Sequence, residues 1–152
     1  MTRGVSFLEG LKAVLKIVFG SAAGVFLGSL FSFFAVLLVR GTAGRVLGIL
    51  IMLGFVALGA FIGGKAAKEN VAEAKDAGKV AIWGSVIFLA GDFFLFAVKN
   101  IVVSMVQIAR TDSWADIAQI AARALVIYLA SKWTIRGMRK RPKILQRPGK
   151  SL

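Results

Sequence analysis

The sequence predicts an all-α, polytopic integral membrane protein, with four transmembrane helices packed as two antiparallel hairpins and both termini in the cytoplasm. Three observations lead there. The apolar excess is gathered into long uncharged runs, the basic residues crowd the borders of those runs on one side, and the tryptophans fall at borders. Hydrophobic residues fill 58% of the 152 positions, whereas a soluble domain carries roughly 45–50%. One helical bundle accounts for the whole length, and no linker divides it.

The first apolar segment runs from Val5 to Val39. As one helix it would reach about 52 Å, against a hydrocarbon core of roughly 30 Å. Its early part, residues 4–16, is amphipathic, with Phe7, Leu8, Leu11, Val14 and Leu15 against Glu9, Lys12 and Lys16. Such a stretch is expected to lie at the membrane interface or to extend below it. With no evident cleavage site after it, the basic N-terminus reads as retained, at most a signal anchor. Residues 17–39 form the first span. Arg40 to Arg45 make a short turn, and residues 46–64 form the second span.

Residues 65–79 (KAAKENVAEAKDAGK) are polar, mixed in charge and rich in helix formers. They are expected to extend the second helix into a cytoplasmic loop that breaks at Gly78. Residues 80–99 form the third span, and residues 100–110 form an apolar outer extension that must tilt, kink or peel away near Asn100. Ser113 and Asp116 have capping-box spacing ahead of the fourth span, residues 114–135. A basic tail, residues 136–152, follows.

Charge sets the orientation. With four spans, the N-terminus, the middle loop and the tail share one side. That side holds 15 of the 20 basic residues: Arg3, Lys12 and Lys16; Lys65, Lys68, Lys75 and Lys79; and Lys132, Arg136, Arg139, Lys140, Arg141, Lys143, Arg147 and Lys150. The opposite side holds Arg40, Arg45 and Arg110. The positive-inside rule places the first group in the cytoplasm, in a cell inner membrane. Trp83 and Trp133 then fall at the cytoplasmic border and Trp114 at the outer one, where interfacial aromatics belong.

Composition narrows the chemistry. Cysteine and histidine are both absent, and only seven acidic residues occur. That removes thiolate nucleophiles, the usual general base and the commonest transition-metal ligands. No catalytic residue, cofactor or metal site is expected, and the chain is not expected to be an enzyme. Gly63-Gly64-Lys65 falls short of a phosphate loop, because Gly59 is one place off the required spacing and Ala66 replaces the hydroxyl. The net charge of +13 lies mostly at span borders, and the tail has no aromatic stacking platform, which argues against nucleic acid. The seven basic residues of Arg136 to Lys150 instead suit anionic phospholipid, at about 1 kcal/mol each near the surface, or an acidic partner.

Two sets of residues invite contacts within the bilayer. Gly20, Gly24, Gly28 and Ser32 repeat every four residues on the first helix, and Gly44, Gly48, Gly59 and Gly63 form two matching pairs on the second. This pattern has the spacing of a glycine zipper. In lipid no hydrophobic drive joins helices, so association depends on close backbone approach at small residues. The first expectation is packing of helix 1 on helix 2, and the sharper alternative is a self-association face.

The second set is charged. Asp92 lies nine residues beyond Trp83, and Arg123 ten residues before Trp133 on a helix running the other way. The two therefore share a depth. Lys99 is seven residues after Asp92 and Asp116 seven before Arg123; seven residues is close to two turns, so each pair of positions shares a helix face. Antiparallel helices would set Asp92 against Arg123 and Lys99 against Asp116, with Ser85, Gln119 and Ala130 along the same seam. An intramembrane charge needs a partner or a purpose. The ladder favours a structural clip, with an ion or proton pathway as the alternative.

The leading functional expectation is a non-catalytic membrane subunit that packs into a larger complex. The alternatives are a homo-oligomeric channel or small transporter using Asp92, Lys99 and Arg123, and, behind it, a holin-type pore.

Overall fold

The computed structural model describes residues 7–71, 74–106 and 113–137. It contains four long helices: α1 (Phe7–Leu38), α2 (Thr42–Ala67), α3 (Ala74–Met105) and α4 (Ser113–Gly137), with a 3₁₀ turn at Lys68–Asn70 after α2. All four are long and apolar enough to cross a membrane, the pattern of a multi-pass membrane protein.

The helices are longer than the spans marked out by charge. α1 is one rod of 32 residues, about 48 Å at the α-helical rise. It passes positions 16 and 17 without a break, so the stretch marked as interfacial is continuous with the first span. Ala13 and Val14 are already buried in the bundle, while Phe7 and Leu8 remain exposed. α2 begins at Thr42, four residues before the expected span, because only three residues, Val39 to Gly41, make the reversal. Gly41 has φ 87°, a left-handed conformation open to glycine at no steric cost.

The break expected at Gly78 does not occur there. The chain leaves the helix at Val71, which is extended at φ −110° and ψ 107°, and Gly78 lies inside α3. Tertiary packing explains the difference: Ala77, Val80 and Ala81 are buried on both sides of Gly78, which outweighs the roughly 1 kcal/mol a helical glycine costs. Nor does α3 stop at Lys99. Residues 80–99 and the first part of the outer extension form a single helix to Met105; residues 107–110 lie outside the described part.

Packing joins α1 to α2, α2 to α4, α4 to α3, and α3 back to α1. Ile17, fully buried, is central to this ring: it lies against Gly63 of α2 and beneath Gly84 of α3. Gly64 of α2 receives Ser131 and Thr134 of α4, and Phe61 meets Trp133 with ring centroids 6.2 Å apart. All these contacts lie at the end where α2 leads into α3. Towards the other end burial falls off. On α3, among the described residues, nothing beyond Phe88 is buried, and on α4 nothing before Ile120. The buried positions of α1 beyond Ser21 are Gly24, Gly28 and Ala35, of which Gly24 and Gly28 pack on α2.

Candidate functional site

Two contact systems hold the residues singled out above. The first is the α1–α2 crossing. A Cβ on Gly20 would stand 2.5 Å from the Gly59 carbonyl oxygen and 3.0 Å from the Gly63 Cα. One on Gly63 would stand 2.6 Å from the Lys16 carbonyl. Gly24 lies against Phe55 and Val56, Gly28 against Met52, and Gly48 against Ser32, whose Oγ would be 2.6 Å from an added Cβ. Partner numbers fall along α2 as they rise along α1, so the two helices run in opposite directions. Gly44 differs in kind: its neighbour is the Val39 carbonyl of the reversal itself. At Gly20, Gly24, Gly59 and Gly63 backbone meets backbone, leaving no room for a methyl group, whereas at Gly28 and Gly48 the nearest atoms belong to side chains.

The second system is the α3–α4 seam. Arg123 Nη1 donates to Asp92 Oδ2 at 3.0 Å and to Oδ1 at 3.4 Å. Both side chains are 15% exposed. The two bonds share one guanidinium nitrogen, so this is not the fork-to-fork arrangement that strengthens arginine–carboxylate pairs. Arg123 Nε is buried with no hydrogen-bond partner. Two turns along, Lys99 Nζ lies 3.7 Å from Asp116 Oδ2, with side chains 56% and 30% exposed. The four charges and Gln119 border one cavity of about 180 Å³. Ser85 is buried on the same helix as Asp92 but turns its hydroxyl back to the Ile82 carbonyl at 2.8 Å.

The tryptophans Trp83, Trp114 and Trp133 are all largely exposed, and Trp133 covers Phe61. Of the basic tail, Arg136 is an exposed residue in the last turn of α4. Arg139, Lys140, Arg141, Lys143, Arg147 and Lys150 lie outside the described residues, as do Arg110 and the side chain of Ser113.

Sequence reasoning missed Lys16, which counted there only as a basic border residue. Its ammonium donates to the Ala66 carbonyl at 3.0 Å and to Asn70 Oδ1 at 2.7 Å, and lies 3.9 Å from Glu69 Oε2. Ala66 is in the last turn of α2, whose final carbonyls have no partner within the helix. Lys16 therefore caps α2 from a helix 50 residues away, where a cation also meets the negative end of the helix dipole. Gly64 and Gly84, outside the four-residue pattern, were likewise not marked as packing positions. The i,i+3 pair Ser131 and Thr134 on α4 was the available signal for Gly64. No family model, curated protein or solved structure matches the chain.

Proposed function

We propose that the chain is a non-catalytic integral membrane subunit that packs into a larger membrane assembly. In this reading it lies in a cell inner membrane as two hairpins, α1 with α2 and α3 with α4, with both termini and the α2–α3 connection in the cytoplasm. One observation carries the proposal: the charged residues in the apolar stretches of α3 and α4 face one another, Asp92 with Arg123 and Lys99 with Asp116. A translocation pathway needs groups free to exchange partners with a passing ion, whereas a clip needs groups held by each other. The close α1–α2 crossing and the sparsely buried far end also suit a subunit, since α3 and α4 there leave surface for another membrane helix. The basic tail supplies the matching contact with anionic phospholipid or an acidic partner.

A second reading, a homo-oligomeric channel or small transporter, is favoured by the cavity of about 180 Å³ that Asp92, Lys99, Asp116 and Arg123 border. Native mass measurement in mild detergent, with identification of co-purifying proteins, separates the two. A stoichiometric foreign membrane protein is the outcome expected of a subunit. A defined homo-oligomer whose liposome flux is abolished by Asp92→Asn would replace that reading with the channel.

A further inference from the structure

α1 and α3 run in the same direction, and two mainly apolar cavities lie in succession along their seam, forming a groove. Its floor and walls come from one face of each helix: Leu11, Val14 and Val18 on α1, and Val80, Ile87 and Gly91 on α3. These positions recur at intervals of three, four and seven, so they form a single stripe on each rod. The groove comprises two cavities of about 420 and 570 Å³. Ile87 borders both, so they follow one another along the seam.

We propose that this groove binds one phospholipid, its acyl chain lying along the α1–α3 seam and its phosphate at Lys79. The site does not depend on the role proposed above, only on the chain standing in a bilayer. Its two ends differ as the two ends of a phospholipid do. Lys79 and Asp76 border the mouth beside Trp83; the two form a loose i,i+3 ion pair at 4.0 Å, with the Lys79 side chain 78% exposed. So exposed a pair holds the ammonium weakly, which lets it turn to a phosphate, and an indole is suited to headgroup level. From Lys79 the groove runs inward to Asp92, thirteen residues on, or about 20 Å of helix. Half of a hydrocarbon core is about 15 Å, so the groove follows an acyl chain from the interface to the bilayer centre.

Two glycines make the same point. Gly10 borders the mouth and Gly91 the inner part. Each is interior to a helix, where alanine would be more favourable. At Gly20 or Gly63 another helix fills the space a Cβ would take, but at Gly10 and Gly91 no protein atom comes within 4 Å. An apolar hollow open to lipid takes up lipid, and these two positions give it depth.

The test is native mass spectrometry of the full chain, reconstituted in phosphatidylglycerol vesicles and extracted in mild detergent. The expected species is a chain carrying one retained phosphatidylglycerol. Gly91→Phe, whose Cβ meets no protein atom within 4 Å, projects a ring into the inner groove and should lower retention about tenfold, the equivalent of roughly two lost methylene contacts. Lys79→Ala should lower it about fivefold. Gly54→Phe, at another open helical position outside the groove, should leave it unchanged. Circular dichroism should show the same helix content in all four proteins. A wild-type chain that emerges free of lipid would overturn the proposal, as would equal retention by Gly91→Phe and Gly54→Phe. A lipid-free homodimer that Gly91→Phe splits would also overturn it, assigning the groove to a second copy instead.

Discussion

Arg123 reaches Asp92 through one guanidinium nitrogen, Nη1, while its Nε is buried without a partner. The pair is thus a close contact with hydrogen-bonding capacity left over. Removing one member strands the other in a low-dielectric interior, a loss of about 3–5 kcal/mol for buried pairs. Asp92→Ala and Arg123→Ala should each lower the thermal unfolding temperature in detergent by several degrees and reduce the yield of folded protein. The charge swap, Asp92→Arg with Arg123→Asp, should recover at least part of that loss, since it restores an opposite pair across the same seam. Singles that assemble normally, together with a swap that rescues nothing, would remove the clip from the proposed function.

The outer pair should matter far less. Lys99 and Asp116 are 3.7 Å apart and much more exposed, and exposed pairs contribute about 0–1 kcal/mol. Lys99→Ala should therefore shift unfolding by no more than a degree or two. The difference between the two pairs is itself a test of depth: if Lys99→Ala proved as damaging as Arg123→Ala, the burial contrast would not govern their energetics.

Glycine substitutions should divide sharply by position. Gly20→Ala would place its Cβ 2.5 Å from the Gly59 carbonyl oxygen, so α1 and α2 must separate. Overpacking of this kind costs about 1–3 kcal/mol. Gly54→Ala meets nothing within 4 Å and should be neutral or stabilising by up to about 1 kcal/mol, the difference in helix propensity. Cross-linking between cysteines introduced on α1 and α2 offers a second readout, expected to fall for the first variant and persist for the second.

What could be read in the sequence and what could not divide along physical lines. The four helices follow from apolar runs too long for anything but a membrane or a buried core. The shared depth of Asp92 and Arg123 follows from counting residues on two helices of fixed rise, and the structure brings their side chains to 3.0 Å. Helix ends were harder. Charge marks where lipid gives way to water but does not stop a helix, so α1 and α3 each reach 32 residues. Gly78 suggested a break because its intrinsic cost is visible in the sequence, whereas the burial of Ala77 and Ala81 that offsets it is not. Contacts between α2 and α4, such as Gly64 under Ser131, depend on which helices become neighbours. That order, α1–α2–α4–α3, leaves no periodic trace in the chain.

Lys16 shows that limit most clearly, and its role can be tested. Its hydrogen bonds to Ala66 and Asn70 tie α1 to the end of α2 and to the 3₁₀ turn beyond. A charge-assisted bond to a helix C-terminus contributes roughly 0.3–1 kcal/mol through the dipole, and a hydrogen bond to a charged group about 1.5–3 kcal/mol. Solvent near the partly exposed ammonium reduces both. Lys16→Met keeps the apolar stem and removes the donor. It should destabilise the protein by about 1 kcal/mol and speed amide exchange at Lys68 and Val71, whose N–H groups bond to Gly64 and Lys68. Lys16→Arg should restore much of the protection, because it returns a cation to the same carbonyls. If Lys16→Met left exchange at Val71 unchanged while Asn70→Ala accelerated it, the 3₁₀ turn would be held by Asn70 alone, and Lys16 would be only a border charge.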